Sequence, residues 1–301
     1  HYAGRGVTAV LATTMTNPVD TIRTAMSNVH ELMEEQKERR QGARVLGVNM
    51  EGPFLGADKK GAHDPQYLMP PDEKLYDELF ELSGGNIRLT DIDPTYPQAM
   101  DFIRRNKGRT KISLAHTSCT YELAEEAVKE GATQVTHLFN AMNGLHHRKP
   151  GLIGAVCDFP LYAEIIGDGI HVHPAVLRMM FRLIPERMIF ISDSMSAAGL
   201  SDGEYQLGGL KVYVREGHAN LADGTIAGST ITVYDALKNA VRFGIPEEAA
   251  VASATRVPAQ AVGCGEIAGV LEEGRRADFL IAGEDLSLEE VYCDGCQVER
   301  S

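Results

Sequence analysis

Five residues able to hold a metal or move a proton close apolar, β-branched runs that lie far apart in the chain: Glu51, His116, His137, His171 and Asp193. The runs are "ARVLGVNME" (43–51), "KISLAH" (111–116), "QVTHLF" (134–139), "AEIIGDGIHV" (163–172) and "MIFISDS" (188–194). Two neutral imidazoles and a carboxylate make a ligand set for a divalent ion that leaves room for water. Such an ion lowers the pKa of that water, and a further carboxylate, Asp193, can take the proton and hand it to a leaving group. The combination fits hydrolysis of an amide or a related bond. Any one of these histidines alone is a structural residue by default, and Asp193 alone is a natural helix cap. Several such groups ending separate strands are harder to credit to chance. In "HVH" (171–173) we read His171 as facing the site and His173, which precedes Pro174, as structural.

Residues so distant share a site only if their strands run side by side. The runs are apolar nearly throughout rather than alternating, the mark of parallel strands covered on both faces. Further runs at 8–14 and 87–93 bring the count to seven, and helical segments at 18–40, 72–82, 96–106, 120–131 and 173–184 separate them. Repeated strand–helix units mean an open doubly wound sheet or a closed barrel. In a barrel all carboxyl ends share one rim, where active sites are assembled. On these residues the class is α/β with both architectures open, and the seven runs are one short of the eight of a (β/α)8 TIM-like barrel. After Ser194 the texture changes to a hairpin excursion (205–229), two helices near 231–243 and 246–262, and a tail of short strands and turns. That tail reads as part of a small β-domain.

Composition narrows the partners. The chain has 301 residues, 44% hydrophobic and 24% charged, with a formal charge of -13. That balance argues against nucleic acid, which needs a basic face. No window has the length and apolarity of a membrane span, and no signal peptide opens the chain. The five cysteines are odd in number and not framework-spaced, which points to a reducing cytoplasm. "CDGC" (293–296) centres on Asp-Gly, a hairpin-turn pair. Against the acidic background, "NAMNGLHHRKPG" (140–151) gathers imidazole and cationic groups in one loop, and one such loop suffices for a small phosphate.

At this point the sequence resembles the N-acetylglucosamine-6-phosphate deacetylase family of metal-dependent amidohydrolases. The matching motifs are "MEGPFL" (50–55), "KKGAH" (59–63), "LAHT" (114–117), "THLFNAM" (136–142), "RKPGLIGA" (148–155), "GDGIHVHP" (167–174), "SDSMSAAG" (192–199) and "LADGTIAGS" (221–229), in order over almost the whole chain. The resemblance implies a (β/α)8 TIM-like barrel lacking its first strand, with a hydrolase barrel at 1–263 and the C-terminal part of a small β-sandwich domain at 264–301, and it implies removal of the acetyl group from N-acetylglucosamine 6-phosphate. It implies Glu51, His116 and His137 as ligands of a divalent metal, zinc or alternatively iron, and Asp193 as general base and acid. It implies that His63 contacts the sugar and polarises the acetyl carbonyl, that Asn140 and Ala141 meet the phosphate side, and that His171 contacts substrate. Arg148 matches an arginine that reaches the substrate phosphate from the partner subunit of a homodimer.

Two departures stand out. The chain opens at "HYAGRGVTAVLATT", matching the segment after the family's first barrel strand, which in many members carries His-x-His for a second metal; the expectation is a fragment with the number of metal ions open and no role for His1. The third strand reads "LTDIDP" (89–94) where the family has an Ala-Pro-Glu ending, so no role passes to Asp91 or Asp93. The alternatives are an amidohydrolase acting on another N-acyl or cyclic amide, and a non-catalytic sugar-phosphate binding protein.

Overall fold

The seven apolar runs form one parallel sheet whose spatial order is the chain order: β1 (Ala9–Thr14), β2 (Arg44–Met50), β3 (Ile87–Ile92), β4 (Lys111–Leu114), β5 (Ala132–Val135), β6 (Tyr162–Ile166) and β7 (Met188–Ile191). The computed structural model describes residues 1–39 and 42–299. Successive strands are joined by α1 (Val19–Glu38), α2 (Glu73–Leu82), α3 (Ala99–Asn106), α4 (Tyr121–Glu130), α5 (Gly151–Asp158) and α6 (Pro174–Leu183). Parallel pairing in sequence order brings every carboxyl end to the same side. The segment before β1 also reaches the segment after β7: the Tyr2 and Ser194 hydroxyls lie 3.2 Å apart, and Arg5 donates to the Gly199 carbonyl at 3.1 Å. The sheet is thus curled as a (β/α)8-type barrel with seven strands.

Helices cover the outer face. Ile22 and Met26 of α1, Tyr76 and Leu79 of α2, and Phe102 and Ile103 of α3 are fully buried, with Phe102 edge-on to both Phe54 and Tyr76. Inside the barrel the layer is polar. Asp91, Ser113 and Gln134 stand beside one another across β3, β4 and β5, all buried.

Local chemistry sets the boundaries. Asp72 caps α2 and Thr120 caps α4, whose stop is Gly131. His173 caps α6 by accepting from the Ala175 amide at 3.1 Å, the structural role its place before Pro174 suggests. Other boundaries correct the sequence reading. β6 ends at Ile166, so 167–172 is a turn and His171 does not close a strand. The residue after Ile166, Gly167, packs against Ala236, where a Cβ would come within 2.8 Å, and the chain leaves the sheet there. The helix α5 has no counterpart in the expected elements. The segment 246–262 is two helices, α8 (Glu247–Ala254) and α9 (Arg256–Ala261), broken at Thr255, which follows α7 (Val233–Arg242). Of the helix expected at 18–40, Arg40 lies outside the described residues, as do 300 and 301 of the tail.

Two small antiparallel sheets complete the chain. β8 (Gly203–Leu207), β9 (Leu210–Arg215) and β10 (His218–Asn220) make the excursion expected at 205–229, with their own core around Val212, Val214 and Met195. β11 (Phe279–Ala282), β12 (Leu288–Cys293) and β13 (Cys296–Gln297) make the other, packed through Val291 and Cys293 on Ala3. Asp294 and Gly295, both at positive φ, form the turn read from "CDGC", and both its cysteines are free thiols. Among the described residues no helix is long and apolar enough to cross a membrane.

Candidate active site

Glu51 directly follows β2, while His116, His137 and Asp193 each lie two residues beyond β4, β5 and β7. Their strands stop short of the lengths expected because the backbone turns left-handed at His116 (φ 45°), His137 (φ 33°) and Asp193 (φ 47°). A non-glycine residue in that region costs about 1–3 kcal/mol, and its concentration at three rim positions marks a site that the surrounding fold holds in place. Beside Glu51, Gly52 (φ 88°) passes so close to Thr16 that a Cβ would fall 2.2 Å from its hydroxyl.

The side chains meet at one point. Glu51 Oε1 lies 3.2 Å from His116 Nε2, 3.4 Å from His137 Nε2 and 3.6 Å from His63 Nε2, and the two nitrogens of His116 and His137 are 3.0 Å apart. Glu51, His63 and His116 form a group whose ligand atoms all lie within 4.8 Å of one another and could hold a metal ion. His137 stands against two members of that group.

Hydrogen bonds on the far side of each ring distinguish the histidines. His116 Nδ1 donates to the Lys59 carbonyl at 2.8 Å, which leaves a lone pair on Nε2. Burial lowers its pKa to about 4, against the opposing pull of Glu51, so the ring is neutral. His63 is the reverse: its Nδ1 accepts the Thr16 backbone N–H at 3.3 Å, and the Thr16 hydroxyl, 2.9 Å from the same nitrogen, can donate to it as well, so Nε2 carries the proton. His137 shares its site with a proton. Burial opposes the charge, but the hydrogen bond and charge of Glu51, with Asp193 and Asp91, raise its pKa to about 9. Glu51 is held well below the usual carboxylate range: burial works against ionisation, and the bonds from His116, His137 and His63 outweigh it.

Asp193 is pushed up to about 6, first by burial and then by the charge of Glu51. Its carbonyl accepts the Ser229 amide at 2.7 Å, and Met195 donates back to the Ser229 carbonyl at 3.0 Å, so "GTIAGS" runs alongside it. Gly228 (φ 69°) permits the approach, since a Cβ would lie 3.0 Å from the Asp193 carbonyl. Across a crevice lined by His218, Asn220 and Ile226 sits His171, whose Nδ1 is 2.6 Å from Asp168 Oδ2. Asp168 also accepts the backbone amides of Ile170 and His171, which fixes the turn.

The loop residues divide. Ala141 (φ 49°) accepts the Thr117 amide at 3.1 Å and Asn140 donates to the His137 carbonyl at 3.2 Å, so both are tied to the rim. Residues 143–149 are exposed, and Arg148 bonds within its own loop, to His147 at 2.6 Å and to His146. This chain does not bring Arg148 to Glu51. Sequence reasoning missed Lys59, which acts through its carbonyl and carries no side-chain signal, and Thr16, whose backbone N–H and hydroxyl both face His63 Nδ1. It also missed Asp168, which its three-residue spacing before His171 could have revealed, and the buried carboxylates Asp91 and Glu164.

The sequence profile described as the amidohydrolase family matches residues 1–298. The chain belongs to that family. Among its amidohydrolase relatives, it is 34% identical over 298 residues to an N-acetylgalactosamine-6-phosphate deacetylase of Escherichia coli O157:H7, covering 98% of this chain and 78% of the relative. It is equally 34% identical over 298 residues to an N-acetylglucosamine-6-phosphate deacetylase of Vibrio furnissii, covering 98% of this chain and 74% of the relative. The crystal structure of the N-acetylglucosamine-6-phosphate deacetylase of Thermotoga maritima superposes with a TM-score of 0.91 at 30% identity, over 100% of this chain and 81% of that one.

Proposed function

We propose that this amidohydrolase removes the acetyl group from N-acetyl-D-glucosamine 6-phosphate, yielding D-glucosamine 6-phosphate and acetate in amino-sugar breakdown. One observation carries the reading: the donor triangle of Glu51 Oε1, His116 Nε2 and His137 Nε2, with edges of 3.0, 3.2 and 3.4 Å. Tetrahedral ligands at zinc distances stand about 3.3 Å apart, so the triangle fits a divalent ion. His116 Nε2 and Glu51 Oε1 are both lone-pair atoms, and a cation or a proton must lie near them. His137 supplies that proton without metal and gives it up to bind one. We assign Glu51, His116 and His137 as the ligands, with zinc as the ion and iron as the alternative.

A divalent ion held by Glu51, His116 and His137 would supply polarisation of the amide carbonyl and a more acidic water. His63, with its proton on Nε2, donates to the acetyl carbonyl oxygen. Asp193 accepts the proton of the attacking water and returns it to the departing nitrogen. His171, held by Asp168, contacts the sugar, and Asn140 and Ala141 meet the phosphate side. The exposed Arg148 completes the phosphate site of a partner subunit in a homodimer, where its planar fork of donors suits an anion. We assign residues 1–263 to the barrel and 264–301 to the small β-domain, and place the protein in the cytoplasm.

The test is acetate release from N-acetylglucosamine 6-phosphate by zinc-loaded protein, beside the unphosphorylated sugar and N-acetylgalactosamine 6-phosphate. We expect turnover that chelation abolishes and that needs the phosphate. The equal similarity to a galactosamine enzyme supports a second reading, in which the 4-epimer is the better substrate. Equal rates on the unphosphorylated sugar would refute the assignment of substrate class.

A further inference from the structure

We propose that Asp91 is a positioning residue for His137, accepting its Nδ1–H directly or through one water and so holding the opposite nitrogen toward the metal ligands. The inference rests on reading His137 as a ligand.

Two buried polar atoms carry it. Asp91 Oδ2 and His137 Nδ1 have no hydrogen-bond partner among the described residues, and their residues are 0% and 4% exposed. Buried polar groups are almost always satisfied, so each such atom requires an account. The two are complementary. When Nε2 of His137 faces Glu51 and His116, Nδ1 carries a proton and is a donor, while an ionised carboxylate oxygen can only accept, an ionisation that works against the burial and the Glu51 and Glu164 charges that push the Asp91 pKa well up. They are also tethered. The hydroxyl of Thr136, the residue before His137, donates to Asp91 Oδ1 at 2.8 Å. Since that hydroxyl's proton is committed, Ser113 must be the donor in its 2.6 Å bond to Thr136. The chain Ser113 to Thr136 to Asp91 therefore runs in one direction and ends on a carboxylate whose second oxygen is free for the neighbouring ring. Metal-bound imidazoles characteristically donate their other nitrogen to such an acceptor, which fixes the tautomer and the ring plane.

Glu164 is the competing carboxylate, but its Oε1 is occupied by the Gln134 amide at 2.6 Å. Gln134 Oε1 is a second unpartnered acceptor in the same layer. It is neutral and belongs to an amide already held by Glu164, which makes it the weaker candidate.

The experiment uses the full chain with zinc as the probe. Asp91→Asn keeps the shape and the acceptor for Thr136 but replaces the free oxygen with a donor or a neutral acceptor. Zinc affinity, measured by competition with a chromogenic chelator, should fall about 10- to 100-fold. Imidazole nitrogen NMR of the zinc-loaded wild type should show His137 protonated at Nδ1 with a proton protected from solvent, and that protection should vanish in Asp91→Asn. If the variant fails to fold, the wild-type spectrum decides alone: an exposed or absent Nδ1 proton overturns the proposal. So does unchanged zinc affinity in Asp91→Asn, or a loss found in Gln134→Leu instead. His137→Ala separates the two levels: retained zinc affinity there sinks the ligand reading, whereas its loss beside an unaffected Asp91→Asn sinks only this inference.

Discussion

The backbone N–H of Thr16 donates to His63 Nδ1 at 3.3 Å, and this bond gives His63 the opposite polarity to His116, whose ring centroid lies 4.6 Å away. His63 offers a proton to the centre and His116 offers a lone pair. The first suits a carbonyl oxygen and the second a metal. His63→Ala should therefore keep its zinc and lose kcat by roughly 100- to 1000-fold, the scale for one lost donor to a developing oxyanion. His116→Ala should lose zinc on dialysis. Metal content measured beside kcat checks both, and zinc lost from His63→Ala but kept by His137→Ala would replace His137 with His63 in the ligand set.

Asp193→Asn should lower kcat by roughly 100- to 10,000-fold while zinc content and melting temperature hold. The carboxylate is half-buried and its pKa is raised to about 6, so its removal relieves a charge that folding disfavours. A variant that turns over at the wild-type rate would mean the proton moves by another route.

The same group shapes the pH profile. Asp193 accepts a proton only when ionised, and a nearby cation can only lower its pKa from about 6. The acid limb of kcat/KM should thus inflect at or below about 6 in wild type. An acid limb well above that value would point to a different base.

Metal-free protein should lose stability as pH rises from 7 to 9. The folded pKa of His137, about 9, lies above the ordinary histidine value, so its contribution is complete below about 6.5 and lost through 9. Glu164, raised to about 7 chiefly by burial, acts in the same direction at the lower end. The expected loss is on the order of 3 kcal/mol across the window. Zinc, which displaces the His137 proton, should flatten the dependence. Denaturant melts at pH 7, 8 and 9 with and without zinc measure it.

Arg148→Ala should raise KM for the phosphorylated sugar about 10- to 100-fold, the loss of one charged hydrogen-bond pair, and leave the unphosphorylated sugar unaffected. Because Arg148 bonds only within its own exposed loop, service to a partner's site is testable by mixing. Co-expressed Arg148→Ala and Asp193→Asn chains should recover roughly a quarter of wild-type activity through mixed dimers with one intact site. No recovery would confine each site to its own subunit.

Much of the fold was legible because burial writes itself into sequence. Strands covered on both faces are mostly apolar, and each of the seven runs overlaps an observed strand, β5 only at 134 and 135. His171 was misplaced by the same rule. "AEIIGDGIHV" continues apolar past Ile166, but Gly167 leaves the sheet and the later residues form a partly exposed turn that Asp168 organises. The helix α5 went unread because its segment, "GLIGAVCD", is too short and too uniformly apolar to show a period.

The sequence by itself determined the order of strands and helices, the shared rim, and the residue types gathered there, because these follow from periodicity and from the rule that parallel strands end together. Only the tertiary structure decided what each residue does. Which nitrogen of His63 or His116 holds the proton depends on Thr16 and on the Lys59 carbonyl, 47 and 57 residues away. That Asp91 Oδ2 and His137 Nδ1 are both left without a hydrogen-bond partner among the described residues is likewise a property of the tertiary structure. An imidazole's polarity is set by whatever lies 3 Å from its far side, and contacts between distant segments leave no trace in the spacing of either one.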